Sequence, residues 1–163
     1  DIQYFLETAR FIHEAELDLH YTTFKELGVT VEEIDNFEAA PAAYNYVSHM
    51  YNVVHNGDVA EAFAAIFPCP WLYQEIGQKI KHSTPNVPLY AQWIALYGSD
   101  EMKVTIEKQK AMMNRFAAEQ PEKEKVLHAH FMKSCYYEWQ FWEMSWTMQS
   151  WAQGGDSNEP AKN

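Results

Sequence analysis

Glycine is scarce in this 163-residue chain, at six residues, and no run of β-branched residues alternates with polar ones. Both absences argue against strands and hairpins. Basic residues are also few: 12 Lys and Arg stand against 23 Asp and Glu, a formal net charge of −11. A surface of that sign repels phosphate backbones and anionic lipid, so neither nucleic acid nor a membrane is expected as a partner. No stretch approaches the roughly 20 apolar residues a membrane-spanning helix needs, and no basic-then-apolar leader opens the chain. A soluble, cytoplasmic protein is the expectation. The two cysteines, Cys69 and Cys135, are far apart, which suits reduced cytosolic thiols better than a disulfide framework. Phosphate loops, Ser-His-Asp arrangements and paired Cys-x-x-Cys zinc motifs are all missing.

Aromatic residues are abundant instead, at 15% with six Trp and ten Tyr. Rings in that number fill a core, line a pocket or sit at an interface. The length suits one domain, expected to cover 1–152 with a flexible polar tail over 153–163. Apolar residues recur three and four apart nearly throughout, so the fold class is all-α, about seven helices on short loops. The first helical pattern runs through Ile2, Phe5, Leu6, Ala9, Phe11 and Ile12 and stops at Gly28. A short helix follows Thr30, with Glu32 and Glu33 in its first turn. Pro41 opens a helix that ends at Asn56-Gly57, and Asp58 with Glu61 reads as a capping box. That helix meets Pro68-Cys69-Pro70 and continues from Trp71 to about Lys81. Further helices are expected over about Leu89–Tyr97, from Ser99 or Asp100 to about Glu119, and from about Pro121 to Trp151.

Cys69 is the first candidate for chemistry, because prolines on both sides interrupt the helix ladder and expose groups beside the break. If Pro70 starts a new helical segment, Cys69 is its N-cap, where the helix dipole favours thiolate. The alternative is a small buried hydrophobe at a kink. Glu138 is the second: its helical neighbours are Phe131, Ser134, Cys135, Phe141, Trp142 and Ser145, a mostly apolar face. Burial there raises a carboxyl pKa toward the range useful for proton transfer, although a structural carboxylate held by a tyrosine or backbone donor fits as well. Tyr73 lies one turn after Cys69, Tyr46 shares a face with His49, Met50 and Val53, and Tyr97 closes a helix before Gly98. Each reads as core or as ligand contact. His13, Glu16 and His20 share one helix and raise a di-metal reading, but the Glu-x-x-His spacing of such bundles is absent. No metal and no cofactor is expected.

Five motifs occur in order: Tyr44-Asn-Tyr-Val-Ser-His-Met-Tyr51; Gly57-Asp58; Phe67-Pro-Cys-Pro-Trp-Leu-Tyr73 with Glu75-Ile-Gly77; Trp93-Ile-Ala-Leu-Tyr97; and Ser134-Cys-Tyr-Tyr-Glu-Trp-Gln-Phe-Trp142-Glu-Met144. Together, from about His20 to Trp151, they resemble the TenA family, thiaminase II, with its haem-oxygenase-like multi-helix bundle. The resemblance implies a hydrolase of thiamine salvage. It would remove the exocyclic-methylene substituent of an aminopyrimidine: the amine of 4-amino-5-aminomethyl-2-methylpyrimidine, or the thiazolium of thiamine. By the same implication Cys69 is the nucleophile that adds to the ring and Glu138 the proton donor and acceptor. Tyr73, Tyr46 and Tyr97 contact the substrate, and the protein is a homotetramer. Residue 1 falls inside the third helix of the family pattern, so its N-terminal helix pair is expected to be missing here. Two other classes stand beside the hydrolase: a non-catalytic regulatory or assembly protein, and a di-metal oxidase dependent on Glu16 and His20.

Overall fold

The computed structural model describes residues 2–151, all helix, turn and loop, with no strand among them. The tail expected to be flexible, 153–163, lies outside the described residues. Among the described residues nine α-helices follow one another: α1 (Ile2–Phe11), α2 (Leu17–Leu27), α3 (Val31–Asp35), α4 (Pro41–Asn56), α5 (Val59–Ile66), α6 (Pro68–Ile80), α7 (Pro88–Tyr97), α8 (Asp100–Glu119) and α9 (Glu124–Thr147). The chain divides into two compact units, Asp1–Glu38 with Pro70–Ala111, and Ala39–Cys69 with Met112–Asn163. No helix among the described residues is long and apolar enough to cross a membrane.

In the first unit, the opening helix is not the unbroken run its periodicity suggests. A π-helical segment, Ile12–Glu16, separates α1 from α2. Such a segment widens one turn and changes which side of the helix the following residues face. Gly28 ends α2 in the left-handed conformation at φ 75°, the stop its sequence position predicts. Thr30 and Glu33 form the reciprocal capping box of α3: the Thr30 side chain accepts from the Glu33 N–H, and the Glu33 carboxylate accepts from the Thr30 N–H at 2.8 Å. Later in the unit, α6 and the end of α7 meet backbone to backbone at Gly77. A Cβ there would lie 2.5 Å from the Tyr97 carbonyl carbon and 2.6 Å from the Gly98 nitrogen. No side chain fits between them, which is why the motif ends in glycine.

The second unit is organised along α9. Asp58 caps α5 by accepting from the Ala60 and Glu61 N–H groups, both at 3.0 Å. The expected capping box is only half made, because the Glu61 carboxylate turns away to Lys123 and accepts from its ammonium at 2.8 Å. From there α5 and the start of α6 follow α9 in parallel register. His130 Nε2 lies 3.6 Å from Glu61, and the Ser134 hydroxyl donates to the Ala65 carbonyl at 2.7 Å. One turn further, Cys69 meets Glu138. Each step advances four residues on both helical segments, the repeat that keeps one helical stripe against another. Between these steps Phe67 packs edge-on against Phe131 at 6.1 Å, and Phe63 stacks on Phe67 at 5.3 Å. Phe63, Phe67, Leu127 and Phe116 are all nearly inaccessible. Burying each such side chain contributes about 1.5–3 kcal/mol.

The Pro68-Cys69-Pro70 break differs from its sequence reading. α6 begins at Pro68 rather than Pro70, so Cys69 is in the first turn and not at an N-cap. Proline suits the opening turn because the missing N–H has no intrahelical acceptor there. Phe67, between α5 and α6, stays in helical geometry (φ −60°, ψ −32°). The final helix also ends early, at Thr147, with Met148 in the left-handed region at φ 53°. Trp151, past that stop, donates its indole N–H to the Ala39 carbonyl at 2.9 Å.

Candidate active site

Glu138 is buried at 2% exposure in the middle of α9, on the stripe that also buries Leu127 and Ser134. Its carboxyl pKa is raised, first of all by loss of solvent. The Tyr46 hydroxyl and the Cys69 thiol face it and act the other way, stabilising the carboxylate, but burial outweighs both. Tyr46, from α4, is 7% exposed and its hydroxyl completes no well-formed hydrogen bond. Burial and then the Glu138 charge push its pKa well up, so the phenol keeps its proton. Its ring stacks on Tyr137 at 5.6 Å and 22°, which fixes its plane.

Cys69 and Cys135 are not joined in a disulfide, and each is partly accessible. Cys135 lies one turn before Glu138, and burial followed by the carboxylate's charge raises its pKa. It is therefore a protonated thiol, a weak nucleophile at neutral pH. Three of the expected site residues, Tyr46, Cys69 and Glu138, thus converge in the second unit. Cys135 and Tyr137 join them, two groups the sequence reading did not single out. Cys135 was visible as a helical neighbour of Glu138; the Tyr46–Tyr137 stack depends on how α4 lies against α9 and leaves no sequence signal.

Tyr73 and Tyr97 belong to the first unit, where they form a three-ring group with Trp93. Ring centroids are 5.0 Å apart for Tyr73–Tyr97, 5.7 Å for Tyr73–Trp93 and 4.7 Å for Trp93–Tyr97, all tilted. Tyr97 is 3% exposed and donates its hydroxyl proton to Glu16 Oε1 at 2.7 Å. Glu16, considered above only as a metal ligand, is thus committed to a tyrosine. His20 lies on an exposed face of α2 with its ring 6.5 Å from Phe24. Among the described residues no three His, Cys, Asp or Glu side chains converge as a metal site. An open depression in this unit is bordered by His82, Ile94, Ser99 and Asp100 and contains none of the predicted site residues.

Chemically, the second unit offers a thiol against a carboxyl of raised proton affinity. A carboxyl of raised proton affinity is suited to proton transfer, and a neighbouring thiol can lose its proton to it as it attacks.

Residues 3–148 match the model of the TENA/THI-4/PQQC family. The chain is 38% identical over 145 residues to a Bacillus subtilis protein named aminopyrimidine aminohydrolase, covering 88% of this chain and 61% of that protein. A protein of the same name from Halalkalibacterium halodurans is 34% identical, covering 95% of this chain and 72% of that protein. Among solved structures, the TenA homologue protein from P. horikoshii OT3 superposes with a TM-score of 0.76 at 24% identity, over 86% of this chain and 66% of that one. The chain therefore spans about three fifths to about seven tenths of the length of these relatives.

Proposed function

Because the chain belongs to the TENA/THI-4/PQQC family, we propose that it acts as an aminopyrimidine aminohydrolase of thiamine salvage, with Cys69 as nucleophile and Glu138 as acid and base. The observation that carries this reading is the buried Glu138 carboxyl, raised in proton affinity and faced by the Cys69 thiol. The names of the two similar bacterial proteins support the substrate class. The family match spans both compact units, which supports reading 1–152 as one family domain.

In this mechanism Glu138 takes the thiol proton as Cys69 Sγ forms a bond to a ring carbon of the pyrimidine. Glu138 then protonates the departing amine, whose bond to the exocyclic methylene breaks. Water adds to that methylene and loses a proton to Glu138, and the sulfur–ring bond breaks to release the hydroxymethylpyrimidine. One water is consumed and one ammonia formed. Splitting a difficult displacement into addition, expulsion and capture is the gain a covalent nucleophile provides. The Tyr46 hydroxyl, buried beside the carboxylate without a full partner, serves as a ligand contact; Tyr73 and Tyr97 complete the substrate-binding set.

The protein is further read as cytoplasmic and as a homotetramer. Support for association comes from α9, where Met132, Tyr136, Trp139 and Trp146 are 51%, 52%, 59% and 85% exposed along one side. A stripe of that size is covered in most soluble proteins.

Ammonia release from 4-amino-5-aminomethyl-2-methylpyrimidine tests the reading, measured for this chain, its Cys69→Ser variant and a form extended at the N-terminus. Release that disappears in Cys69→Ser is the expected result. Equal release with and without the thiol removes Cys69 from the mechanism, and no release from any form turns the reading to a non-catalytic family member.

A further inference from the structure

We propose that Cys135 is the resolving partner of Cys69: when hydrogen peroxide oxidises Cys69, the two sulfurs close a disulfide, with Glu138 moving the protons. The step is an oxidation and needs only the meeting of Cys69 with Glu138, whatever the protein hydrolyses. All three residues belong to the second unit.

Four observations carry it. First, both thiols converge on one carboxyl. The Cys69 thiol faces Glu138 and stabilises its charged form, while Cys135, three residues before Glu138 on α9, feels the charge of the same carboxylate. Side chains three apart on a helix are neighbours. Second, the Tyr46 hydroxyl lies within electrostatic reach of both sulfurs, so the two thiols share a neighbour on a third segment as well. Third, the helices are close at this level. Ser134, the residue before Cys135, donates at 2.7 Å to the carbonyl of Ala65, one turn before Cys69. A serine side chain is short, so its bond to a facing backbone forms only where two helices approach closely. A disulfide requires such an approach, with Cα atoms about 4.4–6.8 Å apart. Fourth, both thiols are partly accessible, which admits a molecule as small as hydrogen peroxide.

Glu138 takes the Cys69 proton as the sulfur attacks one peroxide oxygen. The O–O bond breaks, one oxygen stays on Cys69 as a sulfenic acid, and the other leaves as water with the proton from Glu138. Two electrons pass from sulfur to oxygen. Cys135 Sγ then attacks the sulfenic sulfur, its proton passes through Glu138 to the departing hydroxide, and the S–O bond breaks. Two thiols and one peroxide give one disulfide and two waters. The roles follow from proton affinity: burial and the Glu138 charge keep Cys135 protonated at rest, and peroxide reacts with the thiolate. Cys135 therefore gives up its proton only when an electrophilic sulfur lies beside it and Glu138 is there to accept. Capture as a disulfide keeps Cys69 from the sulfinic and sulfonic acids, which thiols do not reverse.

Fully reduced protein is treated with a small excess of hydrogen peroxide at neutral pH, its remaining thiols are alkylated, and intact and digested samples are analysed by mass spectrometry without reductant. Wild type is expected to lose two hydrogens, to yield a peptide pair linking Cys69 to Cys135 within one chain, and to return to the dithiol in dithiothreitol. Cys135→Ser and Cys135→Ala are expected to accumulate oxygen atoms on Cys69 that dithiothreitol does not remove, with circular dichroism melting to confirm that both are folded. Wild-type Cys69 that reaches the sulfinic acid as fast as in these variants overturns the proposal. So does a link formed only between chains, and so does peroxide that leaves both thiols open to alkylation. Ammonia release from the aminomethylpyrimidine is scored separately. An intrachain link in a protein without hydrolysis removes the hydrolase reading and leaves this one, whereas an active enzyme whose peroxide inactivation resists dithiothreitol does the reverse.

Discussion

The start and the middle of α9 handle the same chemical group in opposite ways. Near its start, Lys123 donates to Asp58 at 2.7 Å and to Glu61 at 2.8 Å, so each acid has a cation and some solvent. The ammonium holds the Asp58 carboxyl below its ordinary pKa, and the two acids hold the Lys123 ammonium above its own. About four turns further along the same stripe, Glu138 pairs with no cation among the described residues and has almost no solvent, and its pKa moves up. Helix, register and flanking packing are shared, so the difference comes from pairing and burial alone. Where pairing is complete the helices are held in register; where it is left incomplete, a carboxyl stays ready to exchange protons.

Removing the reactive end of this contrast has the largest effect. Glu138→Gln should lower aminopyrimidine turnover by about 10²–10⁴-fold, the range for losing a general acid or base, while the protein melts no earlier than wild type at pH 7. The sign follows from linkage. A carboxyl whose folded pKa exceeds its unfolded one favours the folded state below the unfolded pKa. Its contribution falls as pH rises from the unfolded value to the folded one, and stays low above both. The variant's denaturation profile should therefore lose that slope. A Glu138→Gln protein that is fully active, or that melts much earlier at pH 7, would mean the start and the middle of α9 do not differ as described.

The step between the two regions comes next. Ser134 is fully buried and its hydroxyl is a donor to the Ala65 carbonyl. Ser134→Ala leaves that carbonyl without this donor and should cost about 1–3 kcal/mol in urea unfolding. A cost near zero would show that the register is held by the flanking Phe67–Phe131 pair alone.

The paired end gives the smallest effect. Lys123→Met should lower the melting temperature only modestly, because these charges are still partly solvated, and the difference should shrink further in high salt. Asp58 is the mirror image of Glu138. Its folded pKa is depressed, so its stabilisation is present above the ordinary carboxyl range and is lost as pH falls through the folded value. Melting curves between neutral and acid pH should show the wild type and Lys123→Met converging as Asp58 takes up its proton. A difference that persists unchanged in acid would assign the effect to packing of the lysine stem.

Much of this was legible in the chain itself. The near-absence of glycine, the three-and-four spacing of apolar residues and the Pro41, Asn56-Gly57 and Gly28 signals locate helices because these effects act over one turn of backbone. The apolar neighbours of Glu138 likewise predict a buried carboxyl with a raised pKa, since helical spacing alone sets which side chains share its face. The capping box expected at Asp58 illustrates the limit: local spacing permits it, but Lys123, 65 residues away, binds the acids more strongly than a single N–H does. The break at Cys69 was misread for a related reason. Either proline could open a helix, and packing against Ser134 and Phe131 favours the earlier start.

What the sequence by itself determined, then, is the helical class, the family and the buried setting of Glu138, all of which depend on residue type and near-neighbour spacing. Tertiary structure alone decided that Cys69 faces Glu138, that Tyr46 stacks on Tyr137 with its hydroxyl left incomplete, and that Glu16 serves Tyr97 rather than a metal. Those pairings join residues from about 70 to about 90 positions apart. Their geometry follows from which helix faces are buried together, and burial is a property of the packed chain that no local spacing encodes.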